Sequence, residues 1–254
     1  MSIWGEGWYA DPQDKHRLRW WNGSAWTENT LARTDDRRDL PRWWSGLSVG
    51  LQVALAACFV ASAFTFYVDL ETLAFVDEAR LRPDTVTMAD AERIDRLTLW
   101  SLTETVAYLV TGVLFITWLY TVHSSARMDR SALQRKSGWA IGGWLVPILS
   151  FWRPFQMVTD VRRGATGHQD VAVSRRQGWW WGMWLAVLAS SVYVNLLYSR
   201  SDAAPDGIEY AEALGAAASW ERYSCAASML AAVLAILVVR EIRALVLAEP
   251  AAEA

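Results

Sequence analysis

Lysine is almost missing from this chain: of 24 basic residues only Lys15 and Lys136 are lysine. Cysteine is nearly as scarce. Cys58 and Cys225 both sit inside apolar runs, which excludes a disulfide framework and leaves each thiol to act as a small buried hydrophobe. His16, His123 and His168 are the three histidines, and none stands at metal-ligand spacing from a cysteine or another histidine. No phosphate loop, dinucleotide fingerprint or nucleophile elbow is present, so no enzyme activity, cofactor or metal is expected. Excess charge of one sign is missing too. A net charge of -3 does not suit a nucleic-acid binder, and 53% hydrophobic residues do not suit a disordered tail.

What the chain has in abundance is apolar length and tryptophan, 17 residues of it. Four stretches reach the roughly 20 helical residues needed to cross a hydrocarbon core about 30 Å thick. They lie at about residues 46–68, 99–122, 179–198 and 224–245. A fifth stretch, 138–158, is interrupted by Pro147, Arg153 and Pro154, and proline removes a helix hydrogen bond and clashes with the preceding turn. The expected fold class is an all-α polytopic membrane domain of four transmembrane helices plus this Pro-broken re-entrant or interfacial segment. A small Trp-rich β-hairpin module precedes it. The expected division is a module at 1–32, a linker at 33–45, a membrane domain at 46–247 and a tail at 248–254.

Charge assigns the sides. With 138–158 kept on one face, residues 1–45, 123–178 and the C-terminal tail carry 18 of the 24 basic residues, and the loops 69–98 and 199–223 carry six beside thirteen acidic ones. Short basic loops stay in the cytoplasm, so both termini are expected there. A five-helix alternative moves Arg162, Arg163, Arg175 and Arg176 outside, against that rule. No apolar stretch with a cleavage site occurs in the first 45 residues, which also keeps the N-terminus inside. Ten tryptophans, among them Trp43, Trp44, Trp118, Trp144, Trp152 and Trp180, fall at the inner face, while Trp100 and Trp220 mark the outer one. That asymmetry points to extra structure on the inner side. The two hairpins also resemble each other: Arg42-Trp43-Trp44 and Gln177-Gly178-Trp179 open them, and Pro83-Asp84 and Pro205-Asp206 mark their outer loops. Two repeats related about the membrane normal would explain this, as would chance.

The N-terminal piece has the sharpest local pattern. Asn22-Gly23 between the β-prone runs Leu18–Trp21 and Trp26-Thr27 reads as a two-residue type I′ hairpin turn. Trp8, Tyr9 and Pro12 are expected to fold back on Trp20, Trp21 and Trp26 as an aromatic mini-core, with a proline-binding groove as the functional alternative. Gly7-Trp8-Tyr9-Ala10-Asp11-Pro12 followed by Leu18-Arg19-Trp20-Trp21-Asn22-Gly23 resembles an actinobacterial module, domain of unknown function 2510, over about residues 5–30. Gly143-Trp144-Leu145-Val146-Pro147 and Trp152-Arg153-Pro154-Phe155-Gln156 resemble domain of unknown function 4328, over about residues 50–245. Asn22 stands where the module often has Asp. The resemblance implies a bacterial plasma-membrane protein with several helices, and it brings no activity and no site residues. The near-absence of lysine among many alanines agrees with a GC-rich bacterial genome.

Glu104 is the one acidic residue inside an expected span, and intramembrane ionisable groups are functional candidates. At about 1.5 Å per residue from Leu99 it lies roughly 7–8 Å below the outer boundary, within reach of water. Arg153 suits a carbonyl cap, an interfacial anchor or a contact to an anionic lipid headgroup. The glycine pairs Gly46/Gly50 and Gly138/Gly142 permit close helix contact. The expected partners are the bilayer, anionic lipids at the inner face and a protein bound through the module, with no nucleic acid. Two function classes follow: a membrane-anchored interaction protein, or a small transporter or channel lined by Glu104 and the Pro147–Pro154 segment.

Overall fold

The computed structural model describes residues 5–14, 17–32, 39–85, 87–204 and 207–248. Pro205-Asp206, half of the outer-loop resemblance, and His16 and Lys15 lie outside them. The chain divides into two compact units, residues 1–38 and 39–254.

The small unit is an antiparallel sheet of β1 (Gly7–Ala10), β2 (Arg17–Trp21) and β3 (Trp26–Ala32) in that order. Trp8 opposes Trp20 on one face, with ring centroids 5.5 Å apart and edge to face. Tyr9, Trp21 and Trp26 share the other face, and the Trp21–Trp26 centroids are 5.2 Å apart. Asp11, buried at the start of the bend that follows β1, pairs with Arg19 at 3.1 Å, and Pro12 is exposed beside it. The turn is not the expected type I′. Trp21 pairs with Trp26, so four residues close the loop. Gly23 has φ 87°, whereas among the described residues no non-glycine has a positive φ. Asn22 acts through its side chain instead: its Oδ1 accepts from the N–H groups of Ser24 (3.0 Å) and Ala25 (2.7 Å), replacing the left-handed backbone with an Asx-type closure.

The large unit is helical: α1 (Trp43–Leu81), α2 (Met88–His123), α3 (Trp139–Leu145), α4 (Arg153–Thr166), α5 (Arg175–Asp202) and α6 (Gly207–Leu247), with single 3-10 turns at Pro83–Thr85 and Leu149–Phe151. Among the described residues α1, α2 and α5 are long and apolar enough to cross a membrane. At 39 and 36 residues, α1 and α2 run far past the roughly 20 a bilayer requires, so much of the expected outer loop 69–98 is continuous helix. Local chemistry sets the ends. A capping box of Thr87 and Asp90 starts α2, and Ser174 caps α5. Pro154 occupies the first turn of α4, and Gly167 at φ 72° ends it.

The long helices pack in the order α2, α1, α6, α5. An axis relating hairpin α1–α2 to hairpin α5–α6 would make α2 meet α5 as α1 meets α6. Yet α1 packs along α6 while α2 and α5 hardly touch, so the packing does not follow the repeat that the sequence suggests. The expected close helix contacts at the glycine pairs are absent as well, since a Cβ at Gly142 meets only Trp139 of its own helix. Nothing lies within 4 Å of a Cβ built at Gly46, Gly50 or Gly138, whereas one at Gly143 would stand 2.8 Å from Arg153 Cβ and one at Gly164 2.8 Å from Leu133 Cδ2.

Candidate functional site inside the helix bundle

The Pro-broken segment forms α3 and α4, joined through residues 146–152. Helix α4 gathers the ends of three long helices. His123, at the last turn of α2, places Nε2 3.0 Å from Asp160 Oδ2. Gln177, in the first turn of α5, donates to Thr159 Oγ1 (2.8 Å) and the Phe155 carbonyl (3.1 Å). Glu241 near the end of α6 pairs with Arg162 at 2.6 Å. Asp160 and His123 are 0% and 1% exposed, so their partners must satisfy them. Asp160 also accepts from the backbone N–H groups of Gln134 (2.9 Å) and Arg135 (3.0 Å), which fastens the α2–α3 connection. Burial pushes the Asp160 carboxyl up, but the His123 bond and these N–H groups outweigh it and hold it below the ordinary carboxylate value.

An aromatic cluster sits beneath this assembly. Trp44 and Trp118, both fully buried, stack at 5.7 Å; Trp44 Nε1 donates to the Trp118 carbonyl and Trp118 Nε1 to Ser48 Oγ. Phe115, Trp144, Trp180, Trp181 and Trp184 continue it through edge and stacked contacts of 4.7–6.4 Å. The tryptophans read as interfacial anchors thus divide: Trp43, Trp152 and Trp179 are exposed, while Trp44, Trp118, Trp180 and Trp181 form core. Of the Pro147–Pro154 candidates, Pro147 and Trp152 are exposed and Pro154 is buried. Arg153 lies over the Trp139 ring at 4.9 Å and donates to Gln156.

A polar seam runs along the other half of the bundle. Cys58, Ser62, Thr65, Asp69 and Thr72 of α1 recur at helical spacing and are all buried. Glu104 of α2 accepts from Ser62 (2.6 Å) and Thr65 (2.7 Å), and Tyr108 and Thr111 lie beside Ser62 and Cys58 at 3.2 Å. Asp69 meets Glu221 of α6, which in turn accepts from Tyr198 of α5. Sequence bounds placed Asp69 and Glu221 in exposed outer loops, but Asp69 is 2% exposed. The periodic Cys/Ser/Thr/Asp stripe of α1 is the sequence signal for a buried Asp69, and nothing comparable on α6 marks Glu221.

Between seam and aromatic cluster lies a cavity of about 450 Å³, walled by α2 and α5, floored by α1 and α6 and closed at one end by Trp144. Its lining is mainly apolar, with Cys58, Tyr108, Thr111 and Ser228 contributing polar atoms on the seam side.

The family comparison agrees with this division into units. The family described as domain of unknown function DUF4328 matches residues 77–244, and the one described as protein of unknown function DUF2510 matches residues 7–39. The chain belongs to the DUF4328 family. The match runs from the end of α1 to the last turns of α6, so α4, its clasps and the cavity walls from α2, α5 and α6 fall within the DUF4328 region. No curated protein and no solved structure matches the chain.

Proposed function

We propose that this chain is a four-span protein of a bacterial, actinobacterial plasma membrane with both termini in the cytoplasm. In this reading it works as a membrane-anchored interaction protein that presents a cytoplasmic Trp-rich module and whose helical unit carries an inner-face cap. The observation that carries it is α4. The end of α2, the start of α5 and the end of α6 all fasten to this one short helix, which favours keeping 138–158 on a single face. Helix α6 supplies the fourth span through Ser224–Val239, a run without a charged residue. Exposed Arg127, Arg130, Arg175 and Arg176 then face the inner leaflet, where each adds about 1 kcal/mol of attraction to anionic lipid. The exposed Trp8 of the three-stranded sheet suits a protein partner.

The seam with Glu104 favours the second reading, a small transporter. Against it stands the aromatic cluster of Phe115, Trp118, Trp144 and Trp180, which lies between the cavity and the α4 cap. Proximity labelling from the N-terminus in the native cell, comparing the full chain with one lacking residues 1–38, separates the two. A set of neighbours lost with the module supports the interaction reading, and identical neighbours from both chains would remove it.

A further inference from the structure

We propose that the cavity between α2 and α5 is a binding site for an uncharged lipid ending in a hydroxyl or carbonyl group. The inference rests on the membrane-spanning reading of α2 and α5, because the ligand enters sideways from the bilayer through the gap between them. Four features select this chemistry. A volume of about 450 Å³ falls within the roughly 300–1,000 Å³ of small-molecule sites. From Trp180 to Ser191 the α5 wall runs eleven residues, about 16 Å, enough for an extended chain rather than a compact solute.

The polarity is one-sided. Trp144, Trp180 and Trp184 close one end, while the hydroxyls of Tyr108, Thr111 and Ser228 stand towards the other. The Tyr108 hydroxyl donates to Ser62, whose own proton goes to Glu104, so it offers an acceptor to an alcohol. The Thr111 hydroxyl beside Cys58 can donate to a carbonyl or accept from an alcohol. Charge of either sign is disfavoured: no Arg, Lys or His lines the cavity to hold an anion, and no Asp or Glu lines it to hold a cation. Glu104, next along the seam, repels an anion, and its two oxygens are already taken by Ser62 and Thr65. Gly112 gives the means of testing, since a Cβ built there meets nothing within 4 Å and the residue lines the cavity.

The test uses the full chain in lipid nanodiscs and follows tryptophan quenching by brominated chains of equal length that end as an alcohol, a methyl ketone, a carboxylate or a plain alkane. The alcohol or the ketone is expected to quench saturably and to bind about tenfold more tightly than the alkane and the carboxylate, the value of one or two well-made hydrogen bonds. The preferred arm of the two identifies the end group. Gly112→Phe fills the space and is expected to abolish the saturable component. Thr111→Val, which keeps the shape, should weaken the alcohol or ketone severalfold and leave the alkane unchanged. Equal binding of alkane and alcohol, preference for the carboxylate, or quenching indifferent to Gly112→Phe would each overturn the proposal. Should Gly112→Phe not fold, Ala231→Leu, which also lines the cavity and fills part of it, replaces it with the same two readings. Carbonate extraction of the same membranes reports on the bilayer reading separately: a chain that stays integrated yet binds nothing defeats the cavity proposal alone.

Discussion

At the scale of single residues, Asp160 holds more structure together than any residue the sequence singled out. Its carboxylate joins α4 to α2 through His123 and to the α2–α3 connection through two backbone N–H groups. Leaving a buried donor without its acceptor costs about 1–3 kcal/mol, so Asp160→Ala, which strands His123 and two backbone N–H groups, should lower stability by at least that amount in thermal unfolding of the detergent-solubilised chain. The pH dependence has a definite sign. The folded pKa lies below the unfolded one, so the contribution is present above the unfolded value of 3.8 and is lost as pH falls through the lower folded value. The advantage of the wild type over Asp160→Asn should therefore hold at neutral pH and shrink below about pH 4. A difference in melting temperature that stays constant down to strongly acidic pH would contradict the assignment. Gly143 is the matching steric case. A methyl there falls 2.8 Å from Arg153 Cβ, and overpacking of this kind costs about 1–3 kcal/mol. Gly143→Ala should melt earlier, whereas Gly46→Ala, with open space around it, should not.

At the scale of elements, the hairpin and the broken segment make opposite demands on the backbone. The four-residue β2–β3 loop needs a left-handed residue at Gly23, φ 87°, and a β-branched side chain is a genuine outlier there. Gly23→Val in the excised unit 1–38 should collapse the dispersion of the indole resonances in NMR, and an unchanged spectrum would refute the turn. The α3–α4 segment needs a break, supplied by Pro147 in the connection and Pro154 in the first turn of α4. If the cap stays on one face, single cysteines at Ser137 and Thr166, in a chain with Cys58 and Cys225 replaced by Ala, should react with an impermeant thiol reagent from the same side of inverted vesicles. Labelling from opposite sides would mean that the segment crosses. This break was legible from proline placement alone, because proline acts on its own backbone. The turn type was not, since Asn-Gly serves both a type I′ backbone and an Asx closure, and only the Trp21–Trp26 register distinguishes them.

At the scale of the whole molecule, reporter fusions after residues 75 and 210 should read outside, and those after 130, 170 and 254 inside. An outside signal at 170 would overturn the four-span reading. The sequence by itself determined that the chain is mostly apolar helix following a small tryptophan-rich β-hairpin, to which the structure adds the strand β1, and which families it resembles. Those properties reside in local runs: apolar length, proline, turn residues and motif spacing all act over a few residues. Only the tertiary structure decided which helices touch. Asp69 and Glu221 lie 152 positions apart, each in an outer loop by sequence bounds, and meet only because α1 and α6 pack side by side. His123 carried no motif until α4 folded back beneath it. The cavity belongs to no segment at all, because it is the space left where the backbones of α2 and α5 stay apart and only Phe115 and Trp180 bridge them at one end. Such features depend on side chains from four helices converging, and no periodicity along a single helix specifies its neighbour.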